Sequence, residues 1–400
     1  MILAGDWSPG AKAVKLDLNH KDDFYIANLE GPILKANHNY SNMPKAGPYL
    51  CNNHVPDKNF IFMLANNHTM DYGNNGLSNT LEYLNLKNIK NTGAGVNIEE
   101  ASRELIIEQS GVRFGILSRC ETQFGVASLR RPGVAPLDDT VYLSISRLRK
   151  KVDIVIVSVH GASEMSPWPS PYWQDKMRAF IDAGADIVHG HHSHIPQGYE
   201  NYNNGIIFYG MGNFCVDKKK WQQYPNALWS IIVELKVNNK FFTKIMTITI
   251  DEANEGLIVR ESSERELIEH FNYLKKCNYP LADRELLIGL WQENSIRLYN
   301  LYYSNWLGFQ AKECDRGVRQ DIRSLTKKII NRFFRKDFDK ISKAPSCQDL
   351  LLLYHLFACE SHKDAISTAL GVMSGELEDY RTNETTHLVD EMMPWSKEIL

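Results

Sequence analysis

The first two-thirds of the chain repeat one juxtaposition: a short apolar run followed by polar side chains able to hold a metal. Gly5-Asp6 closes the run Met1–Gly5, and Asn28-Leu29-Glu30-Gly31 closes Phe24–Leu29. Ala65-Asn66-Asn67-His68-Thr69-Met70-Asp71-Tyr72-Gly73 follows Phe60–Leu64, and His160-Gly161-Ala162-Ser163-Glu164 follows Asp153–Val159. His189-Gly190-His191-His192-Ser193-His194 grows out of Asp186–His189. Runs of this length, bounded by glycine and polar residues, read as strands. Open α/β sheets collect ligand sites beyond the carboxyl ends of their strands, so the pattern predicts one site assembled from distant segments.

Further strands are expected at Glu104–Gln109, Arg113–Ser118, Ile206–Tyr209 and Leu228–Val237, with hairpin turns around Gln109-Ser110-Gly111 and Asn238-Asn239. Helices are expected at Gly76–Lys87, where Leu77, Leu81 and Leu84 make one stripe, and at Tyr142–Lys151 and Tyr172–Ala183. Strands alternating with helices place this part in the α/β class. After about Val259 strand signals give way to helical periodicity. The reading is therefore two domains, an α/β domain over 1–258 and a helical appendage over 259–400. In the appendage, Asp283–Leu307 and Asp315–Phe334 read as amphipathic helices, and the basic run Lys327–Lys336 as a solvated helix face.

A net charge of −3, with both signs interspersed, gives no basis for nucleic acid or an anionic membrane as a general partner. No apolar run is long enough for a transmembrane helix. Met1-Ile2-Leu3-Ala4-Gly5-Asp6 lacks the basic and apolar regions of a signal peptide. The seven cysteines are scattered and form no CxxC pair, which favours reduced thiols and a cytoplasmic protein.

Each cluster has a plainer explanation when taken alone. Asp6 can cap a turn, and Glu30 can be a strand end in solvent. Asp71 can cap the helix that follows, and His160 can be a satisfied core histidine. Four histidines in six residues are harder to assign to packing. If that segment stays extended, His192 and His194 point to one side and His191 to the other. Together the clusters supply two carboxylates, an asparagine and three histidines, a mixed N/O set without thiolate that suits a pair of divalent ions such as manganese, iron or zinc. Such a centre lowers the pKa of bound water and polarises a phosphoryl or carbonyl oxygen. His68, beside Asn67, can protonate a leaving group without binding metal.

The order of these motifs, with Gly93-Ala94-Gly95, Gly184-Ala185-Asp186 and Gly210-Met211-Gly212-Asn213-Phe214, resembles the bacterial capsule-synthesis (CapA, poly-γ-glutamate synthesis) family of the calcineurin-like metallophosphatase superfamily. The likeness spans roughly residues 1–250. It implies a sandwich of two mixed β-sheets flanked by helices, with two metals at the strand ends. It implies Asp6, Glu30 (at the bridging position), Asn67, His160, His192 and His194 as metal ligands and His68 as catalytic acid. Ser8 stands where many metallophosphatases carry a histidine, and Glu30 where they carry the bridging aspartate, which implies that one metal site is the weaker.

Three functions fit. The leading one is a metal-dependent hydrolase acting on a phosphorylated, peptide or polymer substrate in capsule, polymer or peptide biosynthesis. The second is a peptide epimerase or isomerase using the same site to remove an α-proton. The third is a non-catalytic assembly protein that meets a protein partner through the helical region.

Overall fold

Period-two alternation decides how the strands pack. In Ile154-Val155-Ile156-Val157 the isoleucines enter one hydrophobic core and the valines another. Ile2 and Leu3 divide in the same way, as do Tyr25 and Ile26 and again Phe62 and Met63. A strand apolar on both faces must be covered on both, which calls for two stacked sheets with helices outside.

The computed structural model describes residues 1–20, 23–35, 47–51, 59–238, 240–253, 256–304 and 347–399. The chain divides into two units, Met1–Leu287 and Ile288–Leu400. In the first, the larger sheet runs Ala13–Asp17, Gly256–Glu261, Lys240–Ala253, Trp229–Asn238, Ile2–Ser8, Tyr25–Leu29, Phe60–Met63, Lys90–Thr92, and Asn213–Val216 also pairs with Ile2–Ser8. Its Ile2–Ser8, Tyr25–Leu29, Phe60–Met63 and Lys90–Thr92 strands are mutually parallel, and Trp229–Asn238 is antiparallel to the first of them. The second sheet runs Tyr199–Tyr202, Gly205–Phe208, Ile187–His191, Ile154–His160, Val112–Cys120, Leu105–Gln109, with antiparallel edges on a parallel centre.

The core between the sheets joins Leu3, Ile26 and Ile61 to Ile116, Ile156 and Phe208. Each fully buried side chain of this kind stabilises the fold by about 1.5–3 kcal/mol. Outside the larger sheet, the helix Gly73–Leu86 buries Leu77 and Leu84. Outside the second, Thr140–Arg149 buries Val141, Ile145 and Leu148, and Pro171–Asp182 buries Trp173, Met177 and Phe180. The architecture is thus the expected sandwich of two mixed sheets flanked by helices. The expected turn at Gln109-Ser110-Gly111 joins antiparallel strands, with Ser110 and Gly111 both at positive φ. The expected hairpin around Asn238-Asn239 pairs Trp229–Asn238 with Lys240–Ala253 in antiparallel register, and Gly256–Glu261, where no strand was expected, extends the sheet further.

The first unit continues past the change in composition near Val259. The helix Glu264–Asn278 opens on a capping box between Ser263 and Glu266 and buries His270, Leu274 and Cys277. In the second unit, the helix Arg284–Leu298, which crosses the boundary, is followed by a π-helical turn over Tyr299–Tyr303. An amphipathic helix was expected here, but Gln292, Glu293, Asn294, Ser295 and Arg297 are buried along with its apolar residues. Among them, Gln292 bonds the backbone of Glu378 and Tyr380, and Arg297 pairs with Glu293 and Asp390. The expected helix Asp315–Phe334 and basic run Lys327–Lys336 lie outside the described residues. Among the described residues no helix is long and apolar enough to cross a membrane.

Candidate metal centre

The ends of the parallel strands carry the polar clusters into one place. Asp6 lies within Ile2–Ser8, Glu30 directly follows Tyr25–Leu29, His160 ends Ile154–His160, and His191 ends Ile187–His191. Gly5 permits this convergence, because a Cβ there would meet the Gly212 carbonyl oxygen at 1.8 Å. Asp6, Glu30, Asn67, His160 and His194 are buried, and His192 is slightly more open.

Two groups of potential ligands emerge. Glu30, His160 and His192 form one, and Asp6, Glu30 and His194 the other; within each group the ligand atoms lie within 4.8 Å of one another. Glu30 is common to both. Its Oε1 is 3.9 Å from His160 Nε2 and 3.6 Å from His194 Nε2, equidistant enough to serve either side. Asn67 Oδ1 sits 2.9 Å from His160 Nε2, which adds an oxygen to the first group. His192 Nδ1 is buried without a hydrogen-bond partner among the described residues, a costly arrangement that a bound cation would relieve.

The electrostatics fit the same use. Burial, reinforced by His192 and the other neighbouring imidazoles, pushes His160 well below its ordinary value. Burial also takes His192 down to about 4, against the pull of Glu164. Both imidazoles are therefore held neutral, with a lone pair to offer. Burial acts downward on His194 too, but Glu30, Glu164 and Asp6 outweigh it and raise it to about 9. Burial works to raise Asp6, and contacts with His191, His194 and Asn28 reverse this and hold its carboxyl below the usual range.

One expectation needs correction. The histidine-rich segment does not stay extended: the strand stops at His191, and His192 and His194 take positive φ values of 85° and 58°. Non-glycine residues in this conformation are strained and gather at functional sites. The turn still brings both rings to the centre, where His192 lies 4.7 Å from His160, centroid to centroid. His191 is not turned away, for its Nδ1 lies 2.9 Å from Asp6 Oδ1.

Asp71 departs from its expected role as well. Tyr72 occupies the N-cap of the helix Gly73–Leu86, with no side-chain cap bond. Asp71 is fully buried and instead receives His68 Nδ1 at 2.7 Å. Gly47 makes room for the pair, because a Cβ on it would fall 1.5 Å from Asp71 Oδ2. Ser8 donates to the Glu30 backbone carbonyl at 2.9 Å and so fixes the turn that presents Glu30.

A groove of about 660 Å³ opens over this centre, lined by Glu30, His68 and His194 on its floor and by Tyr49, Lys220, Trp221 and Tyr224 among its walls. Trp221 packs on His194, centroids 4.5 Å apart. Sequence reasoning did not single out this wall, because isolated aromatic residues carry no motif. The roles of Asn28 and Asn213 were equally hidden. Asn28 donates to Asp6 Oδ1 at 2.9 Å, and Asn213 Oδ1 lies 3.1 Å from His194 Nδ1.

Comparison with known proteins finds similarity to bacterial capsule synthesis proteins. Residues 3–218 match the family model described as bacterial capsule synthesis protein PGA_cap. The PGA biosynthesis protein CapA of Bacillus subtilis is 31% identical over 255 residues, covering 62% of this chain and 66% of that protein. The capsule biosynthesis protein CapA of Bacillus anthracis is 31% identical over 201 residues, 48% of each chain. A probable polyglutamine synthesis accessory protein of Mycobacterium tuberculosis is 29% identical over 239 residues, 54% of this chain and 61% of that one. The chain thus spans between about half and two-thirds of the length of these relatives.

Proposed function

We propose, for a chain that belongs to the bacterial capsule synthesis protein PGA_cap family, a metal-dependent enzyme of the metallophosphatase type, most simply a phosphoester hydrolase in capsule, polymer or peptide biosynthesis. The observation that carries this reading is the pair of ligand groups sharing Glu30 on the floor of a groove that His68 also lines. Asp6, Glu30 and His194 would hold one divalent ion, and Glu30, Asn67, His160 and His192 a second; manganese, iron and zinc all suit such an N/O donor set. Bound there, the ions would supply Lewis acidity and an activated water.

The remaining work falls to the chain's own residues. His68 donates Nδ1–H to the buried Asp71 carboxylate, which fixes the ring. That arrangement prepares His68 to give a proton to a departing oxygen. Tyr49, Trp221 and Tyr224 give the groove aromatic walls, and Lys220 offers a positive charge beside them. The scattered cysteines, with no CxxC pair, support a cytoplasmic setting.

The test is turnover of bis-p-nitrophenyl phosphate by manganese-loaded protein. Hydrolysis that falls at least about 100-fold in His68→Ala supports the assignment. Bound metal with no phosphate release, but deuterium uptake at the α-carbon of a peptide, would replace hydrolysis by epimerisation. The accessory role in the name of the M. tuberculosis relative favours a second reading, a non-catalytic assembly protein with the helical region beyond residue 259 as its docking surface. Protein that binds no metal, and is indifferent to Asn67→Ala and His192→Ala, would leave that reading standing.

A further inference from the structure

We propose that His191 and Asn213 are positioning residues for the Asp6–Glu30–His194 group, each fixing one ligand so that a single atom of it faces the ion. The inference rests on the metal reading above and concerns side chains that belong to neither ligand group.

Asp6 has two oxygens, and the fold treats them differently. Oδ1 accepts from Asn28 Nδ2 at 2.9 Å, and His191 Nδ1 lies against the same oxygen at 2.9 Å as a charge contact. Asn28 cannot turn its amide round, because its own oxygen accepts from Asn66 at 3.0 Å. Asn66 is locked in turn by the Leu29 carbonyl and by the backbone N–H groups of His68 and Thr69. Oδ2 is left toward the site, 3.4 Å from the His192 backbone nitrogen and 3.9 Å from the His194 ring. Asp6 is thereby set up to bind through one oxygen.

His194 is fixed by a parallel device. Asn213 Nδ2 donates to the Ala227 carbonyl at 3.0 Å, which leaves Asn213 Oδ1 as an acceptor facing His194 Nδ1 at 3.1 Å. Asn213 therefore holds the Nδ1 proton, and Nε2, 3.6 Å from Glu30 Oε1, is the nitrogen left to face an ion. His191 and Asn213 are fully or almost fully buried; Asn213 opens the strand that pairs with Ile2–Ser8, and His191 ends a central strand of the second sheet.

The experiment is calorimetric titration of Mn²⁺ into chelator-treated full-length protein, with circular dichroism and Tm as folding controls. Wild type is expected to show two sites. His191→Ala and Asn213→Ala should each weaken one of them by about 10–100-fold and leave the other unchanged. His191→Asn, which keeps a donor near Asp6, should restore most of the loss. Folded variants with wild-type affinity at both sites would overturn the proposal. So would equal weakening of both sites, or in His191→Ala a complete loss matching Asp6→Ala, which would make His191 a ligand. A wild-type protein that takes up no Mn²⁺ would instead remove the metal reading and this inference with it.

Discussion

His68 and Asp71 sit on one turn of backbone after the strand Phe60–Met63, and the turn converts two ordinary polar residues into an oriented pair. Replacing Asp71 with Asn keeps the shape and weakens the bond that orients the His68 ring. Turnover of bis-p-nitrophenyl phosphate should fall roughly 10-fold or more while metal content, measured by elemental analysis, stays at the wild-type level. Loss of metal in the same variant would place Asp71 among the groups that hold the ions. The candidate ligands were legible in the sequence because histidines, an asparagine and carboxylates recur at the ends of successive apolar runs. The direction in which each points was not. It depends on the positive φ of His192 and His194 and on Asn28 and Asn213, whose bonds are set by contacts distant in sequence. Extended backbone was the natural expectation for the histidine segment, and it put His191 on the wrong side.

At the scale of elements, the helix Glu264–Asn278 shows how the chain beyond Val259 is tied to the larger sheet. Arg260, on the last strand, pairs with both oxygens of Glu266 and with Asp251 on the neighbouring strand. Glu266 also closes the capping box with the Ser263 backbone N–H. The Arg260 hydrogen bonds, against a smaller burial effect, hold the Glu266 carboxyl down to about 2. Glu266→Ala should cost roughly 1–2 kcal/mol in urea unfolding, the sum of a lost cap and a half-exposed ion pair. One turn further on, His270 stacks on Trp229 with centroids 3.9 Å apart, and burial lowers it to about 4 from 6.5. A folded state that keeps His270 neutral has its full contribution above pH 6.5 and loses it as pH falls toward 4. His270→Phe keeps the stack without the titration, so its stability should vary less between about pH 7 and about pH 4 than that of wild type. Parallel curves for the two proteins would show that His270 does not titrate with unfolding. Composition alone could not reveal this attachment, because the helix looks like the helical region that follows and differs only in what it packs on.

Over the whole molecule, the strands bounding the site were readable from apolar runs, whereas the two-sheet arrangement was implied only by the family resemblance. Shorter pieces such as Ala13–Asp17, Lys90–Thr92 and Asn213–Val216 were not, since a few residues carry too little periodicity and their pairing comes from neighbours. Among the described residues, both ligand groups lie in the first unit. A chain ending at Asp283 should therefore unfold cooperatively and bind metal as the full chain does; aggregation or loss of metal would show that the second unit is needed. The central claim is that Glu30 is shared between two ions, and metal stoichiometry of purified Glu30→Gln beside wild type, His160→Ala and Asp6→Ala tests it most directly. The account predicts two equivalents of divalent transition metal in wild type, one lost in each of His160→Ala and Asp6→Ala, and both lost or severely weakened in Glu30→Gln. Two tightly held ions in folded Glu30→Gln, or none in wild type, would contradict it.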